Sequence, residues 1–172
     1  MSTTTVRRAG VADAGVLAEL AATTFHDTFA AFNRPEDMEE YMSSAFSVEQ
    51  QLAELRDPNA TFFLAMVGDE VAGYAKLLDG EAPDGVAGER PVELARLYAR
   101  RSFHGKGLAA LLMDACYEEA RARGHATMWL GVWERNARAI AFYEKCGFVA
   151  CGRKVFVLGS DPQTDVVMAR VL

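Results

Sequence analysis

Residues 100–116 read RRSFHGKGLAALLMDAC, which sets Gly105 and Gly107 on either side of Lys106 just before an apolar helical pattern opens at Leu108. Glycines let a backbone approach a ligand closely, amides at a helix N-terminus favour an anion, and the lysine adds positive charge. The segment suits a phosphate cradle, and it equally suits a tight turn before a helix. Groups able to move a proton lie elsewhere: Glu93 in PVELARLYA, Tyr143 in NARAIAFYEKCGF and His26 in FHDTF.

Two nucleotide-binding patterns are excluded. A Walker loop needs Ser or Thr after its lysine, and Gly107 stands there. A dinucleotide fingerprint expects an acid about 20 residues on, at the end of the next strand. That strand, ATMWLGV over 126–132, carries none.

The elements that must hold these residues follow from periodicity. Thr3 to Arg8 reads as a strand, and Val11 to Phe29 as a helix with Val16, Leu17, Leu20, Ala21 and Thr24 on one face. Pro35 opens a second helix, Glu36 to Phe46, whose first turn crowds Glu36, Asp37, Glu39 and Glu40; these acids either attract a polycation or simply favour the helix dipole. Ser47 and Gln50 resemble a capping box for a third helix ending near Arg56. The period then changes. Thr61 to Val67 and Val71 to Leu78 form a hairpin about Gly68-Asp69-Glu70, and DGEAPDGVAGERP over 79–91 is a loop. Pro91 to Ala99 is a strand, Leu108 to Arg123 an amphipathic helix capped by Gly124, and Ala126 to Val132 a strand. Asn136 to Cys146 is a helix stopped by Gly147, and Phe148 to Leu158 and Thr164 to Val171 close the chain as strands. This order predicts a mixed α/β (α+β) fold of about seven strands in one central, mostly antiparallel sheet flanked by helices.

Composition narrows the class. A chain of 172 residues predicts a single domain over 1–172. A net charge of −6 argues against nucleic acid as a partner. Three cysteines, an odd number without a CxxC pair, make neither a disulfide scaffold nor a zinc site, and no metal is expected. MSTTTVRRAG lacks the apolar run of a signal peptide, and no stretch reaches the roughly 18 apolar residues of a membrane span. The expected compartment is the cytoplasm, with no membrane partner.

His104-Gly-Lys-Gly-Leu-Ala109, followed at the right distance by Asn136-Ala-Arg-Ala-Ile-Ala-Phe-Tyr143-Glu-Lys-Cys-Gly147-Phe148, resembles the GNAT superfamily of N-acetyltransferases over about Pro91 to Val149. FHDTF, PEDMEEYMSSAF, LGVWERNARAIAFYEKCGF and QTDVVMA look most like the Pai-type spermine/spermidine N-acetyltransferases of bacteria, nearly end to end. The resemblance implies a GNAT fold and transfer of the acetyl group of acetyl-CoA, as cosubstrate, to a primary amine. Attack is direct, and neither Cys116 nor Cys146 is needed as a nucleophile. A polyamine is the implied acceptor. The alternatives are another amine, such as a protein N-terminus, or a coenzyme A-binding regulator with little turnover. A homodimer is the expected assembly.

The resemblance also assigns residues. The backbone of His104, Gly105, Lys106, Gly107, Leu108 and Ala109 holds the pyrophosphate, with His104 standing where the family has Gln or Arg. Leu97, Tyr98 and Ala99 pair their backbone with the pantetheine arm, Asn136 and Lys145 contact the coenzyme, and Tyr143 protonates the leaving thiolate. Glu93 matches the superfamily's catalytic glutamate, with His26 a second candidate base. A base is needed because an amine of pKa near 10.4 is only about one part in 10³ neutral at pH 7.

Overall fold

The computed structural model describes residues 2–172. In chain order the elements are β1 (Thr4–Arg8), α1 (Ala14–Phe29), α2 (Pro35–Ala45), α3 (Val48–Arg56), β2 (Ala60–Val67), β3 (Glu70–Asp79), β4 (Pro91–Ala99), α4 (Leu108–Ala122), β5 (Thr127–Trp133), α5 (Ala137–Lys145), β6 (Val149–Leu158) and β7 (Asp161–Val171). They form the expected mixed fold, one seven-stranded sheet ordered β1-β2-β3-β4-β5-β7-β6. Every neighbouring pair is antiparallel except β4 and β5, which are parallel and joined through α4. No helix among the described residues is long and apolar enough to cross a membrane.

The sheet buries both faces. One packs Val92, Leu94 and Met128 under Leu108, Leu112 and Cys116 of α4. The other packs Phe62, Leu64 and Tyr74 under Leu17, Leu20 and Phe25 of α1, with Met38 of α2. Leu17, Leu20 and Leu112 are fully buried, each contributing about 1.5–3 kcal/mol of transfer free energy.

Local chemistry sets the boundaries. Ser47 Oγ accepts from Gln50 N (3.1 Å) to start α3, and Asn136 Oδ1 accepts from Ala139 N (3.2 Å) to start α5. The acids opening α2 divide. Asp37 is buried and accepts from Ser160 N (2.9 Å) and Oγ (2.7 Å), pinning α2 to the β6–β7 turn, while Glu36, Glu39 and Glu40 lie exposed.

Two boundaries differ from the sequence reading by three residues, the others by one at most. Val11–Asp13 is a separate 3-10 turn before α1. β7 begins at Asp161 rather than Thr164 and takes in Pro162. That proline pairs with Val157 of β6, whereas β5 joins β7 only from Asp165, so its missing N–H falls where no strand lies alongside. The loop after β3 is tied at both ends by His125, whose Nδ1 contacts Arg90 O (3.2 Å) and whose Nε2 contacts Asp79 Oδ1 (3.1 Å).

Candidate active site

β4 and β5 stay together for three residue pairs, Pro91–Thr127 to Glu93–Trp129, and then diverge. Beyond the fork β4 runs on to Ala99 bonded to β3 alone, and β5 to Trp133 bonded to β7 alone. A bulge helps them part: Lys76 pairs with Arg96 and Leu77 with Leu94, which leaves Ala95 as the extra residue. The gap is a cavity of about 170 Å³ bounded by Glu93 to Tyr98 on one side, Gly131 to Trp133 on the other, and Asn136 and Tyr143 of the α5 region.

The free edge of β4 is polar. Arg100 N donates to Ala72 O of β3 (2.8 Å). Backbone groups alternate along a strand, so Tyr98 also turns its own to β3, while Leu97 and Ala99 turn theirs to the gap. Ala99 O accepts from His104 Nε2 (2.9 Å), which leaves its N–H and both backbone groups of Leu97 on the open edge. A pantetheine-like chain with amide groups fits there as an added strand.

At the carboxyl end of β4 the glycine loop leads into α4. Gly105 (φ +77°) and Gly107 (φ +80°) adopt left-handed conformations, and a Cβ on either would meet nothing within 4 Å, so the space above them is open. The amides of Gly105, Gly107, Leu108, Ala109 and Ala110 have no partner among the described residues. That is the donor set a pyrophosphate takes. His104 ties this loop together. Arg138 Nη1 donates to its Nδ1 (3.0 Å) and its Nε2 donates to Ala99 O, which brings a cation from α5 to the loop. Lys106 stands over the Phe103 ring (5.3 Å). Lys145 ends α5, exposed and outside the cavity lining.

Tyr143 lines the cavity and packs against Phe142 and Phe148 (centroids 5.5 and 5.9 Å). Tyr117 is the one tyrosine whose hydroxyl donates a hydrogen bond among the described residues, so the Tyr143 hydroxyl is free. Burial raises its pKa and keeps it protonated at neutral pH. Glu93 sits at the fork, its carboxyl pushed above the ordinary glutamate range by burial against the pull of Lys154, Lys76 and Arg96. Arg96 is committed to Glu54 (Nη2 to Oε1, 3.1 Å), which Lys76 also binds. Lys154 and Asp165 fold over Gly131, where a Cβ would come within 2.5 Å of Lys154 Cε and 3.3 Å of Asp165 Oδ2.

His26 lies apart, exposed in a shallow groove with Met38 and Met42. Burial pushes Cys116 up to about 12 and also raises Cys146 and Cys151, so no thiol is activated. Among the described residues no three His, Cys, Asp or Glu side chains gather as metal ligands. Lys154, Asp165 and the aromatic side chains of Phe25, Phe29, Tyr41, Trp133 and Phe156 escape sequence reasoning because they come from separate elements. The one local signal is an acid inside the apolar run of QTDVVMA.

Comparison with known proteins agrees with this architecture. Residues 22–148 match the model of the Acetyltransferase (GNAT) family. An uncharacterised N-acetyltransferase of Lactobacillus delbrueckii subsp. lactis is 36% identical over 149 residues, covering 87% of this chain and 86% of that one. An uncharacterised N-acetyltransferase of Mycobacterium tuberculosis is 35% identical over 160 residues, covering 93% and 98%. The PaiA N-acetyltransferase of Thermoplasma acidophilum, solved with coenzyme A, superposes with a TM-score of 0.78 at 21% identity, covering 99% of each chain. The chain belongs to the acetyltransferase (GNAT) family and is an acetyl-CoA-dependent N-acetyltransferase.

Proposed function

We propose that this protein acetylates a primary amine of a polyamine such as spermidine or spermine, with Glu93 serving the base and Tyr143 as general acid. The observation that carries the reading is that Glu93, Tyr143 and the free edge of β4 at Leu97 border one gap. When bound, acetyl-CoA supplies a thioester-activated acetyl group. The free amides of Gly105 and of Gly107 to Ala110 hold its pyrophosphate, in place of the full His104 to Ala109 run because the His104 and Lys106 amides are bonded within the loop, and Arg138 adds charge through His104. Asn136 caps α5 and so fixes the helix that carries Tyr143.

Glu93 takes the proton that the acceptor ammonium must lose, through a water. Its raised pKa makes it a stronger base than an exposed glutamate. Tyr143 Oη holds a proton toward the departing sulfur. Its raised pKa makes full transfer costly, so the hydroxyl works as a donor while charge builds on sulfur.

The test is thiol release from acetyl-CoA against spermidine, spermine, a simple monoamine and an alanine-starting peptide. Spermidine or spermine gives the highest kcat/KM, and that value falls as salt screens the acceptor charges. Turnover of the peptide alone moves the substrate to protein N-termini. No turnover of any amine leaves a coenzyme A-binding regulator.

A further inference from the structure

Asp165 is an acid without a partner. It stands on β7 between Trp133 of β5 and Lys154 of β6, and only 9% of the residue is exposed. Neither of its oxygens joins a hydrogen bond or ion pair among the described residues; Lys154, the nearest cation, rests over the Trp129 ring instead (5.4 Å). Burial without a partner disfavours the charged form of a carboxylate. A fold that needed only packing here would carry a neutral side chain.

The walls around it are aromatic. Trp133, Phe29, Phe25, Tyr41 and Phe156 follow one another in an arc with successive centroids 5.8, 4.6, 4.9 and 5.2 Å apart. All five line the same cavity as Asp165 and Glu93. Ring faces attract a cation and repel a carboxylate. Lys76 and Arg96 share Glu54, whereas Glu93 and Asp165 enter no ion pair among the described residues.

We infer that Asp165 and the aromatic arc form a subsite for the second, non-reacting ammonium of a diamine or polyamine, while the reacting amine lies at Glu93. The inference rests on the polyamine reading above and adds to it the residue that selects the substrate. Lys154 tempers the site, since its charge opposes a cation beside Asp165.

The experiment compares kcat/KM for butane-1,4-diamine and for butylamine in the wild type, Asp165→Asn, Asp165→Glu and Lys154→Met, with melting temperature recorded for each and calorimetric titration of the diamine. The wild type prefers the diamine. In Asp165→Asn the diamine-to-monoamine ratio falls at least tenfold, through KM rather than kcat, calorimetric affinity falls with it, and Asp165→Glu restores part of both. Lys154→Met raises the ratio. Burial lifts the Asp165 pKa, so ionisation opposes folding at neutral pH and Asp165→Asn melts no lower than the wild type. A folded Asp165→Asn that keeps the wild-type ratio overturns the subsite and leaves the polyamine reading standing. A wild type that does not prefer the diamine overturns both. Should Asp165→Asn fail to fold, Lys154→Met decides: a raised ratio supports the subsite, and an unchanged or lowered ratio overturns it.

Discussion

Glu93 and Trp129 are the last residues at which β4 and β5 lie side by side. Everything attributed to the site follows from that separation. Below it the two strands share hydrogen bonds. Above it β4 keeps β3, β5 keeps β7, and the unpaired edge between them is wide enough for a ligand. Because the parallel pair is joined through α4, the glycine loop lies at the carboxyl end of the same strand, where α/β sheets commonly take ligands.

Glu93 gives the first prediction. A base must be ionised, so kcat/KM falls as pH drops through its raised pKa. Glu93→Gln lowers kcat by about 10²-fold or more and flattens that acid limb in a profile from roughly pH 5 to 9. Lys154→Met removes a charge that holds the pKa down and therefore moves the limb to higher pH.

Tyr143→Phe keeps the ring contacts with Phe142 and Phe148 and removes only the hydroxyl. Its kcat falls at least about tenfold, while acetyl-CoA affinity and melting temperature stay near the wild type, because the donor matters only as charge reaches sulfur. Near-normal kcat with a lower melting temperature would make it a packing residue.

Gly107 has a φ of +80° and open space above it. Gly107→Glu brings strain and a negative charge to the anion-binding amides, and calorimetry should show acetyl-CoA affinity falling tenfold or more, about 1.4 kcal/mol. Gly107→Ala carries the strain without the charge and should lose less. Equal losses would assign the effect to the backbone alone.

Much of this was legible in the sequence where the signal is local. Ser47, Asn136 and Gly124 mark helix ends by side-chain or backbone chemistry that depends on near neighbours. The loop at Gly105 to Gly107 and the helix bearing Tyr143 are contiguous motifs. The acceptor wall is not. Phe25 and Phe29 read as the apolar face of α1, Tyr41 as part of α2 and Phe156 as a strand residue, and only the folded sheet brings them into one arc. The role of position 104 was equally hidden, because Arg138, which His104 holds, lies 34 residues away. The early start of β7 was masked by Pro162, which ordinarily argues against a strand and is tolerated here by the absence of β5 alongside.

The central claim is that the unpaired edge of β4 receives the acetyl donor, and amide hydrogen exchange followed by NMR tests it most directly. Arg100 N is bonded to Ala72 O, and alternation places the Tyr98 amide on the same β3 side. Both should exchange slowly with or without coenzyme A. The amides of Leu97 and Ala99 should exchange faster in the free protein and slow markedly when coenzyme A is added. Protection at Gly107 to Ala109 without any change at Leu97 and Ala99, or no protection in either segment, would contradict the account.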